Sequence, residues 1–218
     1  MNKLNIILIF CFFVSGCSNS TSIGDTLNKS NINITSEHNL ISNHIKLEEV
    51  ILSILDSESE NLDQLKGTWV HTFNSRRVWP DRISINVEEY KPLAIFNDRS
   101  FLTHKGNLIF PELTEIDIEL VNLIGSEDDA LYLYYISRDI QSQLNRFDFS
   151  LSSVELVNEH LLKAISSEGL VLVFSKKDFR SQIERLEDFI SLELTSGKLN
   201  KLQNIDFRYN NAIAVKFS

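Results

Sequence analysis

Apolar and polar residues alternate over a short stretch of the chain that follows a turn. From Ile83 to Val87 every second residue is apolar, which is the spacing of a strand with one buried face. Residues 70–77 can pair with this strand. The intervening Trp79-Pro80-Asp81 is a turn, because proline fixes its own φ and favours an extended residue before it. The pattern predicts a β-hairpin.

Other stretches repeat apolar residues every three or four positions, as one face of an α-helix does. These stretches are residues 47–55, 127–144 and 178–195, with a shorter one around residues 62–65. Asp178 stands where a capping residue favours the start of a helix, and Gly197 stands where a glycine ends one. We therefore expect four helices, two before and two after the hairpin.

The remaining apolar stretches are short and are separated by turn residues, which is typical of strands. They cover residues 32–34, 93–95, 101–103, 150–157, 160–165, 170–175, 203–209 and 212–217. The turns include residues 97–98, 105–107, 166–169 and 210–211. The order of elements predicts an α+β chain, in which strand, helix, helix, strand and strand are followed by a mostly antiparallel β-region with two helices.

The N-terminus admits two interpretations. An apolar run of 11 residues follows Lys3, and small residues follow the run, as in an export signal. As a helix it is roughly 16 Å long, against about 30 Å for a bilayer core. The short length favours a signal or a lipid anchor over a transmembrane helix. The residues that end at Cys17 also resemble a lipobox. A short transmembrane helix is the alternative, and both place the body outside the cytoplasm.

Composition excludes several classes of function. The net charge is -9 and no basic stripe is present, so we expect no nucleic-acid partner. Cys11 and Cys17 are the two cysteines, so residues beyond them offer neither a disulfide nor a cysteine metal site. The five histidines are scattered, and phosphate loops, nucleophile elbows and HExxH are absent from the sequence. We expect no catalytic, cofactor-binding or metal residues, and hence no enzyme.

Two segments carry a family resemblance. Residues 76–98 begin Arg-Arg-Val-Trp-Pro-Asp-Arg-Ile, and residues 205–215 begin Ile-Asp-Phe-Arg-Tyr. Both resemble the FtsQ/DivIB family of bacterial cell-division proteins. The resemblance implies a POTRA-like domain (β-α-α-β-β) over residues 31–90 and a β-domain over 91–218. They follow the anchor of residues 1–17 and a flexible tether, which the Ser- and Asn-rich composition of residues 18–30 predicts. The resemblance also implies an inner-membrane protein at the division septum, with its bulk in the periplasm.

The resemblance further implies a partner site at the C-terminus. In that family the last strand and the helix region before it receive a segment of FtsB, within a complex with FtsL. The matching positions are Tyr209, Asn211, Ala212 and Phe217. A terminal strand is often an edge strand, whose free backbone groups accept a strand from a partner, although it can also be fully paired. The POTRA-like domain would contact other division membrane proteins.

Some features depart from the family or leave alternatives open. The family often has glycine at Ala212 and tryptophan at Phe217, and its basic contact residues fall near Glu159 and His160. Trp79 is expected to plug the junction between the two domains; the alternative is an exposed partner contact beside three arginines. The alternative function is a lipoprotein, anchored through Cys17, that uses a POTRA-like module in outer-membrane or envelope biogenesis.

Overall fold

The described residues form a mixed α+β structure with two separate sheets. The computed structural model describes residues 32–36, 44–56, 65, 67–80, 82–111, 119–196 and 201–217. Within these ranges lie three α-helices, a three-stranded sheet and a nine-stranded sheet. The predicted α+β class agrees with this architecture. The predicted anchor, the tether, Leu62 and Gly197 lie outside the described residues.

The first sheet is built from the predicted hairpin and one earlier strand. Its elements are β1 (Ile32–Ser36), α1 (His44–Asp56), β2 (Val70–Val78) and β3 (Arg82–Glu89). The spatial order is β1-β3-β2, with β1 parallel and β2 antiparallel to β3. Alternate residues of β3 from Ile83 to Val87 are buried, and they form a core with Leu47 and Ile51 of α1. The predicted hairpin is therefore confirmed.

The second sheet holds most of the remaining chain. Its strands are β4 (Pro92–Phe96), β5 (Ser100–Thr103), β6 (Leu108–Ile109), β7 (Asn122–Ile124), β8 (Leu151–Asn158), β9 (Leu161–Ser166), β10 (Val171–Ser175), β11 (Leu202–Asp206) and β12 (Ala214–Phe217). Their order is β12-β11-β10-β9-β8-β7-β4-β5-β6. Three neighbouring pairs are parallel, β4 with β7, β7 with β8, and β10 with β11, and the others are antiparallel. The sheet is thus mostly antiparallel, as predicted.

Two helices cover this sheet through the apolar stripes that their spacing predicts. They are α2 (Ala130–Leu144) and α3 (Phe179–Ser196), and a single 3-10 turn, Glu127–Asp129, leads into α2. Leu133 and Ile140 of α2 and Leu186 and Ile190 of α3 are fully buried in one core with the strands. Burial of each such side chain contributes about 1.5–3 kcal/mol. The helices are therefore held to the sheet mainly by these stripes.

The turns of the second sheet follow their residue types. Asn97 and Asp98 have φ of 50° and 57° and connect β4 to β5, a left-handed conformation that asparagine and aspartate tolerate. Gly106 and Gly169 have φ of 82° and 89°, where a side chain would be strained. These turns are where the sequence predicts them. The short strands β6 and β7 were not predicted.

The chain passes from the first sheet to the second between Glu89 and Pro92. The aromatic residue at this junction is Trp69, which is buried and lies 5.0 Å from the ring of Phe101. The backbone N–H of Tyr90 donates to the Trp69 carbonyl at 2.7 Å. The two sheets are therefore joined through packing as well as through the chain.

Trp79 does not plug this junction, and that prediction is wrong. Its side chain is 90% exposed, and it lies in the hairpin turn at the opposite end of β3 from Pro92. The β3 strand is eight residues long, or roughly 26 Å. The sequence offers two tryptophans of similar size, and only the register of the hairpin distinguishes the buried one from the exposed one.

Candidate functional site

The last strand lies at one edge of the nine-stranded sheet. Strand β12 pairs antiparallel with β11, and β11 pairs on its other side with β10. Within the described part of the chain, β12 has no neighbour on its outer side. An edge strand of this kind presents backbone donors and acceptors to solvent. We call β12 together with the preceding turn, residues 207–213, the C-terminal edge.

One side of β12 carries a half-open apolar strip. Val215 lies opposite Ile205 and Phe217 lies opposite Leu202, and residues opposite each other in a ladder point to the same side of the sheet. Ile205 and Leu202 are buried, whereas Val215 and Phe217 are 39% and 41% exposed. Val215 and Phe217 therefore extend the core-facing side of the sheet beyond the part that the core covers.

Helix α3 flanks this strip with one of its faces. Arg185, Phe189 and Leu192 follow one another at spacings of four and three residues, so they share a side of the helix. Phe189 lies 6.4 Å from the ring of Phe207, and Leu192 is a large exposed apolar residue. Because α3 connects two parallel strands, it runs back along β10 towards the end of the sheet where Phe217 lies. The face of α3 and the strip on β12 therefore border the same edge.

Arg185 holds the turn that leads into β12. Its guanidinium donates to the carbonyl oxygens of Tyr209 at 2.9 Å, Ala212 at 2.7 Å and Phe207 at 3.4 Å. Guanidinium presents five N–H donors in a fixed plane, so one side chain can bind several carbonyls of one turn. Sequence reasoning missed this residue. The only signal was a cation next to the apolar stripe of a predicted helix.

A second arginine fixes the start of the turn. Arg208 donates from Nε and Nη2 to both carboxylate oxygens of Asp206, at distances of 2.6–3.1 Å. Desolvation raises the pKa of Asp206, but the hydrogen bonds and the charge of Arg208 outweigh it, so that the pKa lies below its ordinary value. This carboxylate stays ionised at neutral pH. The pair keeps the chain in a defined direction as it leaves β11.

The structure spreads the four predicted contact residues along the C-terminal edge. Tyr209, Asn211 and Ala212 are exposed in the turn, two of them held through their carbonyls by Arg185. Phe217 lies five residues beyond Ala212, roughly 16 Å away if the chain is extended. The residues therefore line an elongated surface that suits an extended segment better than a small molecule.

At the end of the C-terminal edge nearest the turn of residues 207–213, the positive charge comes from residues that sequence analysis did not single out as contacts. Glu159 and His160 form the turn between β8 and β9, and the His160 carbonyl accepts from the N–H of Lys176 at 2.9 Å. Lys176 is paired with Asp129 at 3.1 Å, whereas the next residue, Lys177, is exposed. Because β10 and β11 are parallel neighbours, the end of β10 brings Lys177 to the same end of the sheet as Arg208.

Metal-binding clusters and membrane-spanning helices are both absent from the described part of the chain. No group of three or more His, Cys, Asp or Glu side chains there is placed to hold a metal ion. None of the helices in the described part combines the length and the apolar character that crossing a bilayer requires.

Several curated proteins are similar to the chain, and they carry one name, Cell division protein FtsQ. The protein from Coxiella burnetii is 25% identical over 151 residues, which are 68% of this chain and 61% of that protein. The one from Vibrio cholerae is 25% identical over 67% of this chain and 56% of its own length. The one from Actinobacillus pleuropneumoniae is 29% identical over 69% and 66%. The chain is similar to FtsQ proteins of the FtsQ/DivIB family over about two thirds of its length. No protein-family model matches it.

The FtsQ relationship agrees with the resemblance carried by residues 76–98 and 205–215. The chain spans about six tenths of the length of the first two FtsQ proteins described above. Their shared name refers to division and does not favour the alternative of a lipoprotein in envelope biogenesis. It points to a division scaffold rather than to a catalyst.

Proposed function

We propose that this FtsQ-like chain is a non-enzymatic assembly protein of the division machinery, tethered to the inner membrane with its folded part in the periplasm. Its C-terminal edge receives an extended segment of FtsB, within a complex with FtsL, and so recruits both to the septum. The observation that carries the proposal is β12, an edge strand whose outer side is open in the described part and whose Val215 and Phe217 are half-exposed. Tyr209, Asn211, Ala212 and Phe217 are the proposed contact residues.

Strand addition suits this edge energetically. Strand β12 has four residues, and with the flanking turn it has room for roughly four or five added backbone hydrogen bonds, each worth about 0.5–1.5 kcal/mol net. Apolar contacts to Phe217 and to the Leu192 face of α3 add to these bonds. The total supports a dissociation constant on the order of micromolar or below.

The charges at the turn end favour an acidic segment. Lys177 and Arg208 are exposed at this end of the sheet. The family resemblance implies an acidic partner segment whose basic contacts would fall near Glu159 and His160. In this chain Lys177, at the neighbouring strand end, is the proposed cation instead, because Arg208 is already paired with Asp206.

The first sheet with α1 serves as the POTRA-like domain in this proposal. It spans residues 31–90, the β-domain spans residues 91–218, and the N-terminal residues 1–17 and 18–30 serve as anchor and tether. The described order β1, α1, β2, β3 is compatible with that assignment. This domain contacts other membrane proteins of the division machinery.

Binding of the full chain to the periplasmic segments of its own FtsB and FtsL tests the proposal. We expect saturable binding at or below tens of micromolar, together with slower hydrogen exchange of the β12 amides in the complex. A chain that stays folded and shows no binding on the order of tens of micromolar would contradict the proposed function. Binding without added protection in residues 214–217 would contradict strand addition alone.

A further inference from the structure

The tip of the first hairpin carries an exposed aromatic residue among cations. We define the hairpin tip as residues 76–80 and 82, in which Val78 of β2 pairs with Arg82 of β3. Trp79 is 90% exposed, and Arg76, Arg77 and Arg82 are exposed around it. The sequence of residues 76–82 has three arginines and one aspartate, in a chain whose net charge is -9. The tip is therefore a local basic and aromatic projection on an acidic protein.

The hairpin tip lies at the end of the sheet where the chain enters it. Strand β1 runs parallel to β3, and its first residue, Ile32, lies opposite Ile83, which in turn lies opposite Arg77. Neighbouring strands are about 4.8 Å apart, so the entry point of β1 is about 10 Å across the sheet from Arg77. Trp79 lies two residues beyond Arg77, roughly 7 Å further out at the same end of the sheet.

The chain before β1 leads to the apolar run of residues 4–14. The 14 residues from Ser18 to Asn31 can span at most roughly 50 Å. A membrane that holds residues 1–17 is then within reach of the hairpin tip, because Ile32 and the tip lie at the same end of the first sheet.

We propose that the hairpin tip docks on the anionic lipid surface of the membrane that carries the chain. Trp79 enters the interfacial layer, where an indole places its ring among acyl carbons and its N–H in water. Arg76, Arg77 and Arg82 bind lipid phosphates, for which planar guanidinium groups are well suited. The contact rests on the proposed membrane tether for its orientation, and it fixes how the first sheet stands on the membrane.

The shape of the tip favours a lipid surface over a protein partner. Tryptophan in a protein interface is generally buried in a partner's pocket within a surface of 20–30 residues a side. Here Trp79 stands 90% exposed at a hairpin turn, and Val78 is the one other large apolar side chain that is exposed in the tip. A soft and laterally mobile lipid surface can surround such a projection.

Fluorescence of the full chain in vesicles tests the contact. The chain has two tryptophans, of which Trp69 is buried and Trp79 is exposed. Subtracting the spectrum of a Trp79→Phe variant from the wild type isolates Trp79. Phosphatidylcholine vesicles with and without phosphatidylglycerol supply the two surfaces, acrylamide reports accessibility to water, and flotation reports whether the chain is held by the vesicles.

We expect Trp79 emission to shift to the blue, and acrylamide quenching of Trp79 to fall, only when phosphatidylglycerol is present. Arg76→Gln, Arg77→Gln and Arg82→Gln should each reduce the ratio of protected to accessible Trp79 about fivefold, which corresponds to about 1 kcal/mol per basic residue at an anionic surface. Arg99→Gln, in the turn after β4, is the control and should leave the ratio unchanged.

The outcomes separate the hairpin tip from the tether. A chain that floats with both kinds of vesicle while Trp79 stays equally open to acrylamide overturns the docking and leaves the tether intact; a protein partner would then be the better explanation of the tip. A chain that floats with neither, with Trp79 accessible throughout, overturns both the tether and the docking. Protection that is the same with and without phosphatidylglycerol overturns the role of anionic lipid.

Discussion

Two phenylalanines at opposite edges of the large sheet allow a matched test of the proposed binding strand. Phe217 ends β12 and is 41% exposed, whereas Phe110 follows β6 at the other edge and is 56% exposed. We expect Phe217→Ala to weaken FtsB binding by about 2 kcal/mol, or about thirtyfold in Kd, as for an aromatic interface anchor. Titration calorimetry measures the loss. Phe110→Ala should bind like the wild type, and equal losses in both variants would argue against β12.

Two tyrosines allow the same comparison at the turn end of the edge. Tyr209 is exposed in the turn before β12, and Tyr135 is exposed on α2. We expect Tyr209→Ala to weaken binding by at least about 1 kcal/mol, with Tyr135→Ala as the control. Unchanged binding of the Tyr209 variant would confine the contact to the strand itself.

Arg185 is not one of the proposed contact residues, and we expect it to affect partner binding by holding the turn before β12. Lysine keeps the charge but loses the planar fork that reaches three carbonyls at once. We therefore expect Arg185→Lys to lower the free energy of unfolding by about 1 kcal/mol and to slow partner association, because the turn of residues 207–213 is no longer held. Urea unfolding and stopped-flow binding measure the two effects. An unchanged association rate would show that the pairing of β12 is enough to hold the turn without the Arg185 hydrogen bonds.

Strand β3 provides a test at the scale of the element. Ile85 is fully buried against α1, while its neighbour Asn86 is exposed on the opposite side of the sheet. Ile85→Asp places a charge in an apolar core without a partner and should unfold the first sheet, at a cost of several kcal/mol. Asn86→Asp is the matched control and should leave it folded, because a carboxylate can accept from the Thr35 hydroxyl as the amide oxygen does at 3.1 Å.

Amide exchange followed by mass spectrometry separates the two sheets in this experiment. We expect residues 70–89 to lose protection in Ile85→Asp, whereas α2 and strands β8–β10 keep it. Loss of protection throughout both sheets would show instead that they unfold as one cooperative unit. The Trp69–Phe101 contact between the sheets could couple them in this way.

Elements with a regular apolar period were predictable, and elements without one were not. The hairpin, the stripes of α2 and α3 and the turn at Asn97 follow from spacing and turn chemistry within one segment. Strands β6 and β7 have two and three residues, too few for a period to show. The position of Trp79, the parallel pairing of β7 and the carbonyls bound by Arg185 depend on contacts between distant segments. The contact residues were located by resemblance rather than by pattern, and their role stays a prediction.

At the scale of the whole molecule, a ring cluster lies at the junction of the two sheets. His71 of β2 lies 4.8 Å from the ring of Tyr90 and 6.2 Å from the ring of His104, which follows β5. The Nδ1 atom of His104 accepts a hydrogen bond from the backbone N–H of Lys91 at 3.0 Å. The backbone N–H of His104 donates to the Lys91 carbonyl at 2.9 Å. This pair of bonds ties the linker to the second sheet and requires an unprotonated Nδ1.

The cluster makes the junction sensitive to acid. Desolvation of the ring, followed by the charges of Lys105, His71 and Lys91, lowers the pKa of His104 below its ordinary 6.5. Below that value the unfolded chain binds a proton that the folded chain does not, so the free energy of unfolding rises with pH in this range. The contribution is complete above about pH 6.5 and declines as the pH falls from there through the folded pKa.

Urea unfolding of the wild type and of His104→Gln, from about pH 5 to about pH 8, measures this dependence. We expect the wild type to lose stability towards the acidic end and the variant to lose less, because the glutamine oxygen can still accept a backbone N–H and does not titrate. NMR titration of His104 should give a midpoint below 6.5. Identical pH slopes in the two proteins would show that His104 does not cause the acid sensitivity, and would argue against a proton-dependent tie between the linker and the second sheet.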